Sequence, residues 1–229
     1  MKLACLFSGG KDSTYAIYLA KKAGHAVDIL LTIYPYSDES HLLHYPNIKF
    51  TSLQSESMKI PQLTEQLTST ESNSESDALD RLIIHAKENY SIDGIVHGGI
   101  LSEYQKDSFS SSCKKNNLEI ISPLWNMEPE SYMKELLSEN FEYIISTVSS
   151  DGLNDSWLGR IIREDDLIEL KKLQQKFDFN LNFEGGEAET FVTNCPLFEK
   201  PLLIQDSTIE WDGYRGRFEI LEAKLKDNA

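Results

Sequence analysis

Two short strings in this 229-residue chain carry side chains that could do chemistry. The first is Ser8-Gly9-Gly10-Lys11-Asp12-Ser13. Adjacent glycines let a backbone turn sharply and come close to a ligand. If a helix follows, its first N–H groups have no intrahelical acceptor and its dipole adds partial positive charge. Such a loop cradles an anionic phosphate. Ser8 and Ser13 would add hydroxyl donors and Lys11 a full positive charge. Asp12 would repel phosphate unless it caps the helix or a Mg²⁺ ion stands between the two. The spacing is neither G-x-x-x-x-G-K nor the dinucleotide fingerprint G-x-G-x-x-G. The bland alternative, a capped helix after a tight glycine turn, leaves Ser, Lys and Asp together unexplained.

The second string is Glu184-Gly185-Gly186-Glu187-Ala188-Glu189-Thr190. If the chain is extended from Glu187 onward, Glu187 and Glu189 point to the same side, because strand side chains alternate. Two carboxylates on one face raise each other's pKa. Such a pair suits Mg²⁺ binding, a cationic substrate or proton removal. A glycine turn opening a solvated acidic strand explains the string equally well.

The elements around the first string are those a phosphate loop needs. Leu3 to Phe7 is a short apolar run that reads as a buried strand, Ser8 to Ser13 as a loop. Ser13 to Ala23 has helical spacing and stops at Gly24, and Val27 to Ile33 is a second apolar run. Strand, loop, helix and strand make a βαβ unit. The alternation continues with a helix over Asp77 to Asn89, a strand over Gly94 to His97 and a helix over Ser102 to Asn116. A strand over Leu118 to Ile121 follows. The expected fold is α/β, a doubly wound parallel sheet. Pro35 to Asn47 and Leu67 to Ser76 read as loops that could close over a nucleotide.

After Pro123 the texture changes. Pro129 to Asn140 and Glu164 to Phe177 read as helices, with a strand over Tyr143 to Val148 between them. Strands are expected over Thr190 to Thr193, Leu202 to Gln205 and Arg217 to Lys226, with a turn at Asp212-Gly213. This divides the chain into 1–125 and a smaller α+β part, 126–229.

Composition narrows the function classes. Hydrophobic residues make up 40% and charged residues 26%, an ordinary globular mixture. No apolar run has the length of a membrane span, and the start lacks the apolar stretch of a signal peptide. The expected location is therefore the cytoplasm, with no membrane partner. Cys5, Cys113 and Cys195 are odd in number and form no C-x-x-C pair, so buried reduced thiols are expected. A net charge of −15 with no basic stripe argues against a nucleic-acid partner and suits a small-molecule or protein substrate, especially a cationic one.

With the residues laid out, a resemblance covers nearly the whole chain. Ser8 to Ser13, directly after the first strand, resembles the PP-loop of the N-type ATP pyrophosphatases. Residues 184 to 198, EGGEAETFVTNCPLF, resemble the C-terminal signature of the diphthine–ammonia ligases, a branch of that superfamily. Three further stretches resemble the same family in the same order: His44-Tyr45-Pro46-Asn47, the run from Gly99 through Tyr104-Gln105, and the run from Gly152 through Trp157 to Gly159. Three positions depart from the family pattern. Phe183 stands where glycine is usual, Ala188 where an aromatic is usual, and Ser108 where a basic residue is common.

The resemblance implies an enzyme, a C–N-bond-forming and AMP-forming ligase. It would use ATP and Mg²⁺ to amidate the carboxylate of diphthine on translation elongation factor 2 with ammonia, through an acyl-adenylate. Residues 1–125 would be the ATP-binding domain and 126–229 the substrate-binding domain. Ser8, Gly9, Gly10, Lys11, Asp12 and Ser13 would hold the pyrophosphate part of ATP, with Thr32 and Ile33 near the adenine and Asp12 on the Mg²⁺. Lys11, Asp12, Glu187 and Glu189 would be catalytic, Glu187 or Glu189 taking a proton from ammonium. Asn47, Gly99, Tyr104, Gln105, Trp157, Glu184, Gly185, Gly186, Glu187 and Thr190 would meet the substrate. Tyr104 and Trp157 could offer ring faces to the trimethylammonium group of diphthine, or could be core aromatics. A homodimer is left open. The rivals are a PP-loop tRNA-modifying enzyme, which needs a basic RNA surface, and a non-catalytic ATP sensor, which has no use for the acidic string.

Overall fold

The computed structural model describes residues 1–36, 47–67, 74–100 and 103–227, with the backbone alone over 103–108. It divides into two compact units, one of Met1–Ser8 with Asp12–Trp125, the other of Gly9–Lys11 with Asn126–Ala229.

The first unit is a five-stranded parallel sheet in the order β3-β2-β1-β4-β5. Its strands are β1 (Lys2–Leu6), β2 (Ala26–Tyr34), β3 (Gln62–Gln66), β4 (Gly94–Val96) and β5 (Glu119–Ile121). The helices between them are α1 (Lys11–Lys22), α2 (Thr51–Met58), α3 (Ser74–Tyr90) and α4 (Glu103–Lys115). Central strands covered on both sides need side chains that tolerate burial on both faces, hence the largely apolar sequences of β1 and β2. Ala4, Ile29, Leu31, Ile33 and Ile95 share one core with Ala78, Leu79, Leu82, Ile83 and Ala86 of α3 and Cys113 of α4. Cys5, next to Ala4, faces the other way: its Sγ lies 3.8 Å from the Ser13 carbonyl of α1. Helices on both faces make this the doubly wound α/β class. The chain runs outward from β1 to β2 and β3, then returns to place β4 on the other side of β1. The strand order therefore reverses between β1 and β4.

Three details differ from the sequence expectation. Helix α1 begins at Lys11, so Lys11, Asp12 and Ser13 are first-turn residues and not loop. Helix α3 opens earlier than its apolar face announces, with Ser74-Glu75-Ser76 as its first turn. Those three polar residues lie in the stretch expected to be loop, and acidic Glu75 suits the dipole at a helix start. Residues 68–73 of that stretch lie outside the described residues, as do 37–46 of the earlier expected loop. The third difference is β3 with the helix before it, which no apolar run announces. An edge strand buries only part of its surface and needs no such run. Gln62 fastens it through a side chain instead, its Nε2 donating to Thr32 Oγ1 at 2.7 Å and Thr51 Oγ1 at 2.9 Å.

The second unit is a four-stranded antiparallel sheet in the order β7-β6-β9-β8. It is built from α5 (Pro129–Ser138), β6 (Glu142–Val148), α6 (Glu164–Phe177), β7 (Ala188–Asn194), β8 (Leu202–Trp211) and β9 (Gly216–Leu225). Glu128 caps α5, accepting from the N–H groups of Glu130 and Ser131, and Pro129 takes the first-turn position where no N–H is needed. The turn between β8 and β9 forms at the expected Asp212-Gly213, where Asp212 Oδ1 accepts from the N–H groups of Tyr214 and Arg215. Strand β8 runs on to Trp211, beyond the expected end at Gln205, because register shifts around Asp206 break the alternation that marks a strand.

All three cysteines are reduced and buried. Burial pushes the Cys113 thiol up to about 11 and the Cys195 thiol up to about 12, and raises Cys5 as well. An unfolded chain ionises its thiols at about pH 8.5. Between that pH and about 11 the native state therefore holds protons that the unfolded state has lost, so stability falls as pH rises. Urea titrations are expected to show the full thiol contribution below about pH 8 and a progressive loss from about pH 9 to about pH 11. Replacing Cys113 by alanine should flatten that slope.

Candidate functional site

The glycine string follows β1 directly. Gly9 has φ +81°, the left-handed conformation that its lack of a side chain permits. Ser8 and Ser13 face each other across the turn, their hydroxyl oxygens 3.2 Å apart, and Ser8 N–H donates to Ser13 Oγ at 3.3 Å. Asp12 lies inside the first turn of α1, where a negative charge suits the helix dipole; it is not the residue preceding the helix, so the capping role does not hold.

Across the point where the strand order reverses, β4 ends in His97-Gly98-Gly99. A Cβ on Gly98 would stand 2.4 Å from the carbonyl carbon of Asp12 and 2.6 Å from Ser13 N. Only glycine lets the β4 turn lie against the start of α1. Gly99 N–H donates to His97 Nδ1 at 3.0 Å, and His97 Nε2 lies 2.6 Å from Ser122 Oγ. The imidazole thus bridges the Gly99 amide and the Ser122 hydroxyl and fixes the turn. Neither His97 nor Ser122 was singled out by the sequence; the glycines after β4 were the signal.

Lys11 departs most from expectation. It is 2% exposed. Its backbone N–H donates to Thr190 Oγ1 at 3.1 Å, and Val192 N–H donates to Gly9 O at 3.0 Å. Strand β7 therefore holds residues 9–11, which explains why they group with the second unit. The Lys11 ammonium donates to the Asn182 carbonyl at 2.8 Å and lies 5.7 Å from the ring centroids of both Tyr132 and Phe183. It is a buried, boxed cation and not the exposed charge expected of the loop. The Lys11 N–H, which has no intrahelical acceptor, is taken by Thr190 and not left for a phosphate.

The acidic string is not a pair of carboxylates on one face. Strand β7 begins only at Ala188, and Glu187 belongs to the turn before it. Glu187 Oε1 accepts from Asn180 N and Nδ2, both at 2.8 Å, and Oε2 accepts from Gly185 N at 2.9 Å. Those bonds close the 180–187 turn and replace the role of proton acceptor expected of Glu187. Glu184, Gly185 and Gly186 form the turn itself, with Gly186 N–H donating to Phe183 O at 3.2 Å. Glu189 lies in β7 opposite Thr147, its N–H donating to Thr147 Oγ1 at 3.0 Å. Thr190 is spent on the Lys11 amide.

Other expected contacts fare differently. Trp157 is buried, and the Arg160 guanidinium lies 4.5 Å from its ring centroid, so its face is occupied and it is a core aromatic. Ile33 is part of the core beneath α3, which leaves only its backbone for a ligand. Thr32 Oγ1 donates to Phe7 O at 2.8 Å. Asn47 is buried and starts a short 3-10 helix in the left-handed conformation. The side chains of Tyr104, Gln105 and Ser108, and residues 44–46, lie outside the described residues.

Two residues whose contacts the sequence did not mark stand beside Lys11. Asn182 is wholly buried, and neither atom of its side-chain amide has a hydrogen-bond partner among the described residues. Phe183 has φ +64°, which costs a residue with a Cβ roughly 1–2 kcal/mol.

A parallel sheet whose order reverses beside a glycine turn and a helix start defines the doubly wound α/β class, in which ligands bind at the carboxyl ends of the strands beside that reversal. Residues 1–120 match the diphthamide synthase N-terminal domain and residues 128–225 the diphthamide synthase C-terminal domain, and the chain belongs to the diphthamide synthase family. It is 33% identical to the human protein named diphthine–ammonia ligase, over 91% of this chain and 85% of that one. The Bos taurus protein of the same name is 32% identical over 91% and 85%. The Schizosaccharomyces pombe protein of that name is 30% identical, matching 91% of this chain but 37% of its own length.

The crowding at Gly98 gives a direct test. Gly98→Ala is expected to destabilise the fold by about 1–3 kcal/mol through overpacking against α1, read from urea unfolding.

Proposed function

We propose that this chain is an ATP-dependent diphthine–ammonia ligase acting in the cytoplasm on translation elongation factor 2. The observation that carries the reading is the glycine turn at the carboxyl end of β1, whose Asp12 and Ser13 lie against Gly98 where the strand order reverses. The family membership and the names of the relatives support the same chemistry.

In this reading residues 1–125 bind ATP and residues 126–229 bind the protein substrate. The diphthine carboxylate is a poor acyl donor because oxide would have to leave. One of its oxygens attacks the α-phosphorus of ATP, the bond from that phosphorus to the bridging oxygen breaks, and pyrophosphate leaves with the electron pair. The nitrogen of ammonia then attacks the acyl carbon, the bond to AMP oxygen breaks, and the nitrogen gives up a proton. The glycine turn, the α1 dipole and Lys11 stabilise the departing pyrophosphate charge. Glu189, a half-buried carboxylate on β7, accepts the proton.

A Mg²⁺ ion commonly takes one or two carboxylates and fills its shell with phosphate oxygens and water. Asp12 supplies one carboxylate at the helix start, so the residues present fit that mode; among the described residues no group of three acidic, His or Cys side chains forms a protein cage. When bound, the ion would neutralise phosphate charge. The acidic surface implied by a net charge of −15 favours a cationic substrate such as a trimethylammonium group over nucleic acid.

Incubation with ATP, Mg²⁺, ammonium and diphthine-bearing elongation factor is expected to give AMP, pyrophosphate and the mass change of amidation. Formation of ADP and orthophosphate alone would overturn the reading. Glu189→Gln is expected to lower ammonia-dependent turnover about 100-fold, the low end for a lost general base, while leaving ATP binding intact.

A further inference from the structure

Two unfavourable features fall on consecutive residues of the second unit. Asn182 buries an amide with neither atom paired among the described residues, and Phe183 holds an aromatic side chain on left-handed backbone. The other described non-glycine residues with positive φ are Asn, Asp, Ser or Lys; Phe183 alone is aromatic. Buried polar groups are normally bonded, and strained backbone persists where surroundings over-determine it, commonly at functional sites. Both features border one group, the Lys11 ammonium. The Asn182 carbonyl accepts its proton at 2.8 Å, and the Phe183 ring centroid lies 5.7 Å away, matched by Tyr132 at 5.7 Å. That distance is within the range of cation–π attraction. The Phe183 ring is itself set by Phe179, stacked at 6.4 Å.

We propose that Phe183 is a positioning residue: its ring, opposed by Tyr132, fixes the buried Lys11 ammonium on the Asn182 carbonyl and so presets the loop lysine for the phosphates of ATP. This role rests on the ATP-binding reading above. A glycine at this position would remove the backbone strain but also the ring. A leucine would keep the bulk and the strain and remove only the π face, whereas a tyrosine would keep all three. A preset cation also fits the logic of electrostatic catalysis, in which charges are aimed before the reaction and need no rearrangement during it.

The experiment compares full-length wild type with Phe183→Leu and Phe183→Tyr in two ways. The first is the rate of Lys11 acylation by pulsed acetic anhydride without nucleotide, read by peptide mass spectrometry with thermal unfolding as a fold control. The second is ATP affinity by calorimetry. Phe183→Leu is expected to label Lys11 about five-fold faster and to bind ATP about five-fold more weakly, the size of one modest cation–π contact. Phe183→Tyr should restore both. If leucine and tyrosine variants are equally impaired, or leucine matches wild type in both measurements, the role is wrong. If wild type binds no ATP, the nucleotide reading fails instead, and the labelling ratio still decides the box around Lys11.

Discussion

An ammonium at 2% exposure must be held by dipoles and ring faces, because leaving it without them would cost several kcal/mol. Lys11 meets that requirement with the Asn182 carbonyl and the rings of Tyr132 and Phe183. This constraint organises the second unit. It places residues 9–11 along β7, through Thr190 Oγ1 and the Val192 amide, and it gives the turn before β7 a purpose. Glu187 holds that turn closed by accepting three N–H bonds.

In the first unit the matching constraint is steric. Gly98 admits the start of α1 to within van der Waals contact of the β4 turn, and His97 locks that turn through Gly99 and Ser122. The reversal of strand order sets β1 and β4 side by side, so the two glycine turns are neighbours by topology. A rigid turn beside a helix start is a surface on which phosphate charge can be held without rearrangement.

Phe183, one of the departures noted in the sequence, occupies left-handed backbone that glycine would adopt without strain. Ala188 is buried at the first position of β7 opposite Val148. The side chain of Ser108 lies outside the described residues.

The amino-acid sequence by itself determined the elements whose signals are local. The apolar runs of β1 and β2, the periodicity of α3 and α6, the glycine turn between β1 and α1, and the turn at Asp212-Gly213 could all be read from neighbouring residues. Tertiary structure decided what each polar side chain meets. Lys11 and Asn182 are 171 positions apart, so no window of sequence shows that the lysine is buried. Glu187 and Glu189 share an alternation on paper, but the turn that ends at Glu187 breaks it. Trp157 sits in a suggestive motif, yet Arg160 covers its face. Strand β3 stays hidden because an edge strand pairs through its backbone, whose hydrogen bonds leave no mark on side-chain type.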